Sequence, residues 1–307
     1  MLNIKTNIHL KIRCQCNFSC WYCVGNHTKE PVLMYDLDWL KSFYNGLNNP
    51  NGVVTSLECG ASEPTMHPQI KDILTILQSH GTVSVPTNNS INPNRWLPAD
   101  GRNIFARCAL HPQNEENIDK FRDRILEMKQ HGVDAICCFC ATPDRIEKIE
   151  RLKEYFNNKG ILIRINAFNG VYNGKKYPDS YTENEINKIY SHDEEKGWYD
   201  RIQPYLIIKD FSSIPCFAGK YLMYISPSTI QKCLYDPAPI HEIETAATPC
   251  RVKNCGCGLF LEELNSWMQS GDVSNDVFFQ QQLKKYFSLM INYDKLDFNK
   301  IRKIYNQ

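Results

Sequence analysis

No apolar run in this 307-residue chain approaches the about 18 residues of a membrane span, which predicts a protein without a transmembrane anchor. The N-terminus, Met1-Leu2-Asn3-Ile4-Lys5, lacks the apolar core of a secretory signal, so the chain is expected in the cytoplasm. An excess of one charge is also missing. The 35 Lys and Arg stand against 34 Asp and Glu, a net charge of +1. That leaves no basic surface for nucleic acid or an anionic membrane. Low-complexity segments are absent, and nothing repeats beyond a strand–helix rhythm. Cysteine, by contrast, is plentiful. A disulfide framework is not expected of 14 cysteines in a cytoplasmic chain. Their grouping near both ends suggests two metal sites rather than one.

The first group directly follows a strand. Residues 4–13 alternate apolar and polar, with Ile8, Leu10 and Ile12 on one face. Then come Cys14, Cys16, Cys20 and Cys23, the last three spaced C-x3-C-x2-C. Three thiolates so placed can hold three irons of a 4Fe–4S cube and leave the fourth iron open for another ligand. Zinc is the alternative, with Cys14 completing a set of four.

Beyond this loop the chain keeps one rhythm. Helical faces appear at Leu37, Leu40, Phe43 and Tyr44, at Ile70, Ile73, Leu74 and Leu77, at Ile118, Phe121, Ile125 and Met128, and at Ile146, Ile149, Leu152 and Phe156. Strands are expected over 53–57, 82–85, 103–110, 133–140 and 161–168, and a further helix near 183–190. Six successive strand–helix units imply a parallel sheet with right-handed crossovers. The count is too small for a closed eightfold barrel, so a partial (β/α)6 barrel is expected, with a doubly wound sheet as the alternative. In either arrangement ligand groups gather where strands end. The cysteine loop, Gly60–Pro64, Asn88 and His111 all fall there.

The segment Cys59-Gly60-Ala61-Ser62-Glu63-Pro64 lies just past the second strand. Taken with the cysteine loop, it is similar to the Gly-Gly-Glu-Pro segment of radical SAM enzymes, with Ala61 and Ser62 at the two glycine positions. The C-x3-C-x2-C loop, with aromatic Tyr22 before its last cysteine, resembles the signature of the same superfamily. The resemblance implies that Cys16, Cys20 and Cys23 carry a 4Fe–4S cluster whose open iron chelates S-adenosylmethionine. One electron then yields a 5′-deoxyadenosyl radical, which takes hydrogen from a substrate C–H bond. It also implies cofactor contacts from Tyr22, Gly60, Ala61, Ser62, Glu63 and Pro64, the Glu63 carboxylate accepting from the methionine ammonium. Asn88, at the end of the third strand, and the Arg107–His111 stretch at the fourth are placed to reach the cofactor, while Arg164 and Asn166, on one face of the sixth strand, would suit polar groups of cofactor or substrate. Cys137, Cys138 and Cys140 read as core packing, or as a thiol that returns hydrogen to a radical.

After about residue 200 the rhythm changes to a hairpin over 221–234 and the cysteines Cys216, Cys233, Cys250, Cys255 and Cys257. This stretch resembles the SPASM/twitch extension, which implies an auxiliary 4Fe–4S cluster, one cysteine being spare. A zinc ribbon would use similar residues. The expected division is 1–200 barrel, 201–260 auxiliary iron–sulfur domain and 261–307 helical tail. The implied enzyme oxidises or rearranges a small metabolite, with a flavodoxin- or ferredoxin-type reductant. Peptide-modifying relatives often carry a recognition domain ahead of the barrel, and with 15 residues before Cys16 none is expected here. A peptide substrate and a non-enzymatic iron–sulfur redox protein are the two alternatives.

Overall fold

A computed structural model describes residues 6–23, 31–47, 52–190, 215–216, 218–219, 222–227, 229–233, 236, 239–240 and 248–249. The chain divides into two compact units, one of which comprises His9–Asn48 and Val53–Asp193. Its elements are the rest of β1 (Thr6–Lys11), then α1 (Leu37–Asn45), β2 (Val53–Glu58), α2 (Ile70–Gln78), β3 (Gly81–Thr87), β4 (Ile104–Leu110), α3 (Pro112–Glu115), α4 (Ile118–Gln130), β5 (Asp134–Ala141), α5 (Ile149–Asn157), β6 (Ile163–Ala167), β7 (Gly170–Tyr172), β8 (Lys175–Tyr177) and α6 (Glu183–Tyr190).

Strands β1 to β6 lie side by side in chain order. β2 through β6 pair in parallel. The Ile12 amide donates to the Glu58 carbonyl at 2.8 Å, which sets the end of β1 along β2. Parallel neighbours need a crossover, and the helices between them supply it. The result is a parallel α/β sheet of the partial-barrel kind, as the strand–helix count predicts.

Alternation of side chains sorts the two sheet faces. Ile8, Leu10, Val83, Val85, Ala106, Cys108, Cys137 and Phe139 are buried toward the helices. Against them pack Leu40, Ile73, Leu74, Phe121, Ile125 and Phe156, also buried. The residues between these, among them Arg107, Cys138 and Cys140, face the other way and are less covered. Cys137 therefore belongs to the core, whereas Cys138 and Cys140 do not. α1 is started by Asp36, whose carboxylate accepts from the amides of Asp38 and Trp39 at 3.0 and 3.1 Å.

Two elements differ from expectation. The short α3 begins on Pro112, a residue suited to a first helical turn. The β7–β8 hairpin turns on Asn173 and Gly174, whose φ angles are +48° and +75°. A two-residue turn of this hand needs positive φ at both positions, which Asn-Gly accepts at least cost. That dipeptide was legible as a hairpin signal.

In the other unit, β9 (Pro215–Cys216) pairs with β12 (Thr248–Pro249), and β10 (Leu222–Ser226) forms a hairpin with β11 (Thr229–Gln231) through Ser226↔Thr229. The hairpin expected over 221–234 is present within narrower bounds. Cys250, Cys255, Cys257 and the expected helical tail 261–307 lie outside the described residues. Among the described residues no helix is long and apolar enough to cross a membrane.

Candidate functional site

The cysteine loop leaves β1 and is stitched at once to the Gly60–Pro64 segment. The Cys14 amide donates to Ser62 Oγ at 3.0 Å, the Cys14 thiol donates to the Glu63 carbonyl at 3.0 Å, and the Glu63 amide reaches the Gln15 carbonyl at 3.3 Å. Cys14 is thus committed to the backbone it touches. Burial and the Glu63 carboxylate push its thiol up to about 12. Gly60 bends this segment at φ +53°, in the left-handed region.

Glu63 is 2% exposed, and the structure turns its carboxylate inward. Oε1 accepts from the Thr65 amide at 3.1 Å, the Thr65 hydroxyl at 2.5 Å and the Thr87 hydroxyl at 2.8 Å. Oε2 accepts from the Asn88 amide at 2.6 Å. Burial raises its pKa against the pull of these donors. A carboxylate with this many partners works as a tie between strand ends.

Asn88, held by Glu63, extends the tie to the cysteines. Its Nδ2 donates to Asn17 Oδ1 at 2.9 Å and stands 3.7 Å from Cys16 Sγ. The Phe18 amide also points at Cys16 Sγ, at 3.4 Å. Asn114 closes the ring from the β4 end, donating to the Asn88 carbonyl at 3.1 Å and accepting from the His111 amide at 3.1 Å.

Cys20 and Tyr22 meet His111. Cys20 Sγ lies 3.3 Å and the Tyr22 hydroxyl 2.7 Å from His111 Nδ1. The Tyr22 and His111 rings stack, and Phe18 meets His111 edge-on. Burial, helped by the Arg145 guanidinium, pulls His111 down to about 4, so its ring is neutral at pH 7. Trp21, on the outer side of the loop, packs against Tyr22, Phe168 and Tyr172.

Burial is also the largest cause raising the Cys16 and Cys20 thiols, and each is raised further by the sulfur of Cys23. The three sulfurs therefore share one neighbourhood. Among the described residues no three His, Cys, Asp or Glu side chains close on a single point as ligands of one ion. A cube spreads its thiolates over separate irons, one cysteine to each of three.

Arg145, buried, supports the β4 end from beneath. It donates to Glu115 Oε1 at 2.6 Å and to the Leu110 carbonyl at 2.8 Å, and its guanidinium lies 4.4 Å over the Phe139 ring. Lys148 takes the other Glu115 oxygen at 2.6 Å. Burial works against the Glu115 carboxylate, but Lys148 and Arg145 together hold its pKa below the ordinary value. A depressed folded value means that the stability Glu115 contributes is present above the unfolded value, about 4.3. It is lost as pH falls through the folded value. Glu115→Gln is expected to flatten the acid limb of a melting-temperature profile below about pH 5. An unchanged limb would show that the pair contributes nothing there.

The structure thus brings together Cys16, Cys20, Cys23, Tyr22, Ser62, Glu63 and Asn88. Arg164 and Asn166 lie on β6, opposite Cys138 and Cys140, and the Cys140 thiol is near enough to the loop for Cys20 to help raise it. In the other unit the Asp236 amide donates to Cys233 Sγ at 3.3 Å. Sequence reasoning did not reach Thr65, Thr87, Asn114 or Arg145. Their one shared signal is position: each is polar and lies at or just past the end of a strand.

No family model and no curated protein sequence matches the chain. Solved structures do. The chain is similar to anSMEcpe with bound AdoMet, at 14% identity and a TM-score of 0.51, covering 74% of each chain. It is also similar to Streptococcus suis SuiB bound to its precursor peptide SuiA, at 14% identity and a TM-score of 0.53, covering 76% of this chain and 60% of that one. A third match is anSMEcpe with AdoMet and the Cp18Cys peptide, at 13% identity and a TM-score of 0.51, over 76% and 75% of the two chains. At such identities the likeness is one of architecture: the chain has the partial-barrel fold of the radical SAM enzymes.

Proposed function

We propose that this chain is a radical SAM enzyme that abstracts hydrogen from a substrate C–H bond. The observation that carries the reading is the single hydrogen-bonded net joining Cys16, Cys20, Glu63, Asn88 and His111 at adjoining strand ends. Cys16, Cys20 and Cys23 hold a 4Fe–4S cluster, and the donor set fits it: three cysteines, with the Phe18 amide and Asn88 Nδ2 aimed at one of the sulfurs. When bound, that group supplies one electron to S-adenosylmethionine and so provides the 5′-deoxyadenosyl radical. Gly60, Ala61, Ser62 and Pro64 bring backbone close to the cofactor, while Glu63 fixes their position. Tyr22 offers an aromatic face beside the cofactor, and its hydroxyl is held by His111.

A second 4Fe–4S cluster on four of Cys216, Cys233, Cys250, Cys255 and Cys257 is part of this reading, as is a flavodoxin- or ferredoxin-type reductant in the cytoplasm. The amide aimed at Cys233 Sγ suits a metal-bound sulfur. For the substrate, oxidation or rearrangement of a small metabolite is one reading. Modification of a peptide is the other, favoured by the peptides in two of the similar structures.

The test is anaerobic reconstitution with iron and sulfide, then dithionite and S-adenosylmethionine, with 5′-deoxyadenosine read by mass spectrometry. Its formation is expected, with roughly eight irons per chain. Absence of 5′-deoxyadenosine sinks the enzyme reading and leaves a redox protein. Roughly four irons with one zinc would sink the second cluster.

A further inference from the structure

His111 follows β4 directly, and the short α3 begins behind it at Pro112. Two rings pin its imidazole. Tyr22 stacks on it with 5.9 Å between ring centres and 19° between planes, and Phe18 meets it edge-on at 5.7 Å and 85°. The ring so held points Nδ1 at the cysteine loop, 2.7 Å from the Tyr22 hydroxyl and 3.3 Å from Cys20 Sγ. The Tyr22 hydroxyl also hydrogen-bonds to that sulfur. Gln113 stands farther off, its Oε1 3.9 Å from Cys20 Sγ. Imidazole, hydroxyl and sulfur thus form one small triangle.

The roles within the triangle become fixed once Cys20 is a metal ligand. A free thiol donates as well as accepts, but a metal-bound thiolate has lost its proton and only accepts. A bare Nδ1 lone pair at 3.3 Å would set two electron pairs against each other. A protonated Nδ1 at the same distance makes a charge-assisted hydrogen bond. The requirement holds for the neutral ring, whose one proton then sits on Nδ1, and for the cation, which carries both protons. The Tyr22 hydroxyl, 2.7 Å from Nδ1, turns its own hydrogen to the sulfur and leaves its oxygen to the imidazole.

We propose that His111 is a positioning residue: its Nδ1–H, together with the Tyr22 hydroxyl, donates to the Cys20 sulfur and raises the reduction potential of the cluster on the loop. Hydrogen bonds to the sulfurs are one of the levers that set such a potential. Reduction adds negative charge to the cluster and its sulfurs, so a donor holds the reduced form more strongly. Cys16 has a parallel pair of donors in the Phe18 amide and Asn88 Nδ2, at 3.4 and 3.7 Å. At Cys20 both donors are side chains, so each can be removed alone. The inference rests on the iron–sulfur part of the reading above and not on the radical chemistry.

The test is a redox titration of the reconstituted protein followed by electron paramagnetic resonance. The loop cluster is identified as the signal that Cys20→Ala removes. His111→Leu keeps bulk and loses the donor. It is expected to shift the one-electron equilibrium about tenfold toward the oxidised form, a potential lower by about 59 mV. His111→Asn places an amide N–H near the position of Nδ1 and should recover most of that shift. Tyr22→Phe, the smallest change, should lower the potential with iron content kept. An unchanged potential in His111→Leu overturns the proposal, as does an equal fall in His111→Leu and His111→Asn. Should His111→Leu fail to hold iron, Tyr22→Phe decides by sign, and a potential unchanged or raised there overturns it. An iron signal that survives Cys20→Ala in full overturns it together with the loop assignment. The expected order of potentials in a protein that forms no 5′-deoxyadenosine upholds the donor and removes only the radical reading.

Discussion

Cys20→Ala is expected to abolish 5′-deoxyadenosine formation, whereas Cys14→Ala is expected to retain it. The contrast follows from where the two sulfurs point. The Cys20 sulfur shares its neighbourhood with those of Cys16 and Cys23 and sits 3.3 Å from His111 Nδ1. The Cys14 sulfur is spent on the Glu63 carbonyl at 3.0 Å. Losing a residue that only supports a metal ligand costs about 10–100-fold, and losing one of three ligands should exceed that. The readouts are iron content and product, measured side by side on the two variants. Equal loss of iron in both would mean that Cys14 is a ligand and that the set is a four-cysteine site of another kind. Iron retained in Cys20→Ala, with product, would break the assignment of the loop altogether.

Glu63→Ala is expected to destabilise the protein by about 3–5 kcal/mol, read by denaturant unfolding. The change strands the amides of Thr65 and Asn88 in a buried place and frees two hydroxyls from their acceptor. Glu63→Gln keeps one acceptor oxygen and should cost less. The sign with pH runs opposite to that of Glu115. Because burial raises the Glu63 pKa, its contribution to stability is full below the unfolded value of about 4.3 and declines as pH rises through the folded value. The gap between wild type and Glu63→Gln should therefore narrow as pH rises. A gap independent of pH would show that the carboxyl group does not titrate differently on folding.

Legibility in the sequence varied with the range of the interaction. The βα rhythm was visible because helix and strand periods are local and the apolar positions repeat them faithfully. The cysteine spacing and Gly60–Pro64 were visible for the same reason. The partners of Glu63 were not. Thr87 and Asn88 lie a full βα unit away, and nothing local in Glu63-Pro64-Thr65 says whether the carboxylate turns outward or inward. Arg145 was missed on similar grounds: it follows a strand in an ordinary-looking polar turn, yet it folds beneath the β4 end to reach Glu115. Arg164 and Asn166 were correctly given one face of a strand. What neighbours that face carries depends on register across strands, which one sequence does not state.

The tie centred on Glu63 also bears on the order of events in biogenesis. It joins residues from Cys14 to Asn114 that are remote along the chain, so it can form only after the first four strands have aligned. Closing such distant segments is the slow part of assembly. A zinc finger shows the opposite order, in which the ion organises an unfolded peptide. By the same ordering, a metal taken by the three thiols would arrive at a cradle already built rather than organise it.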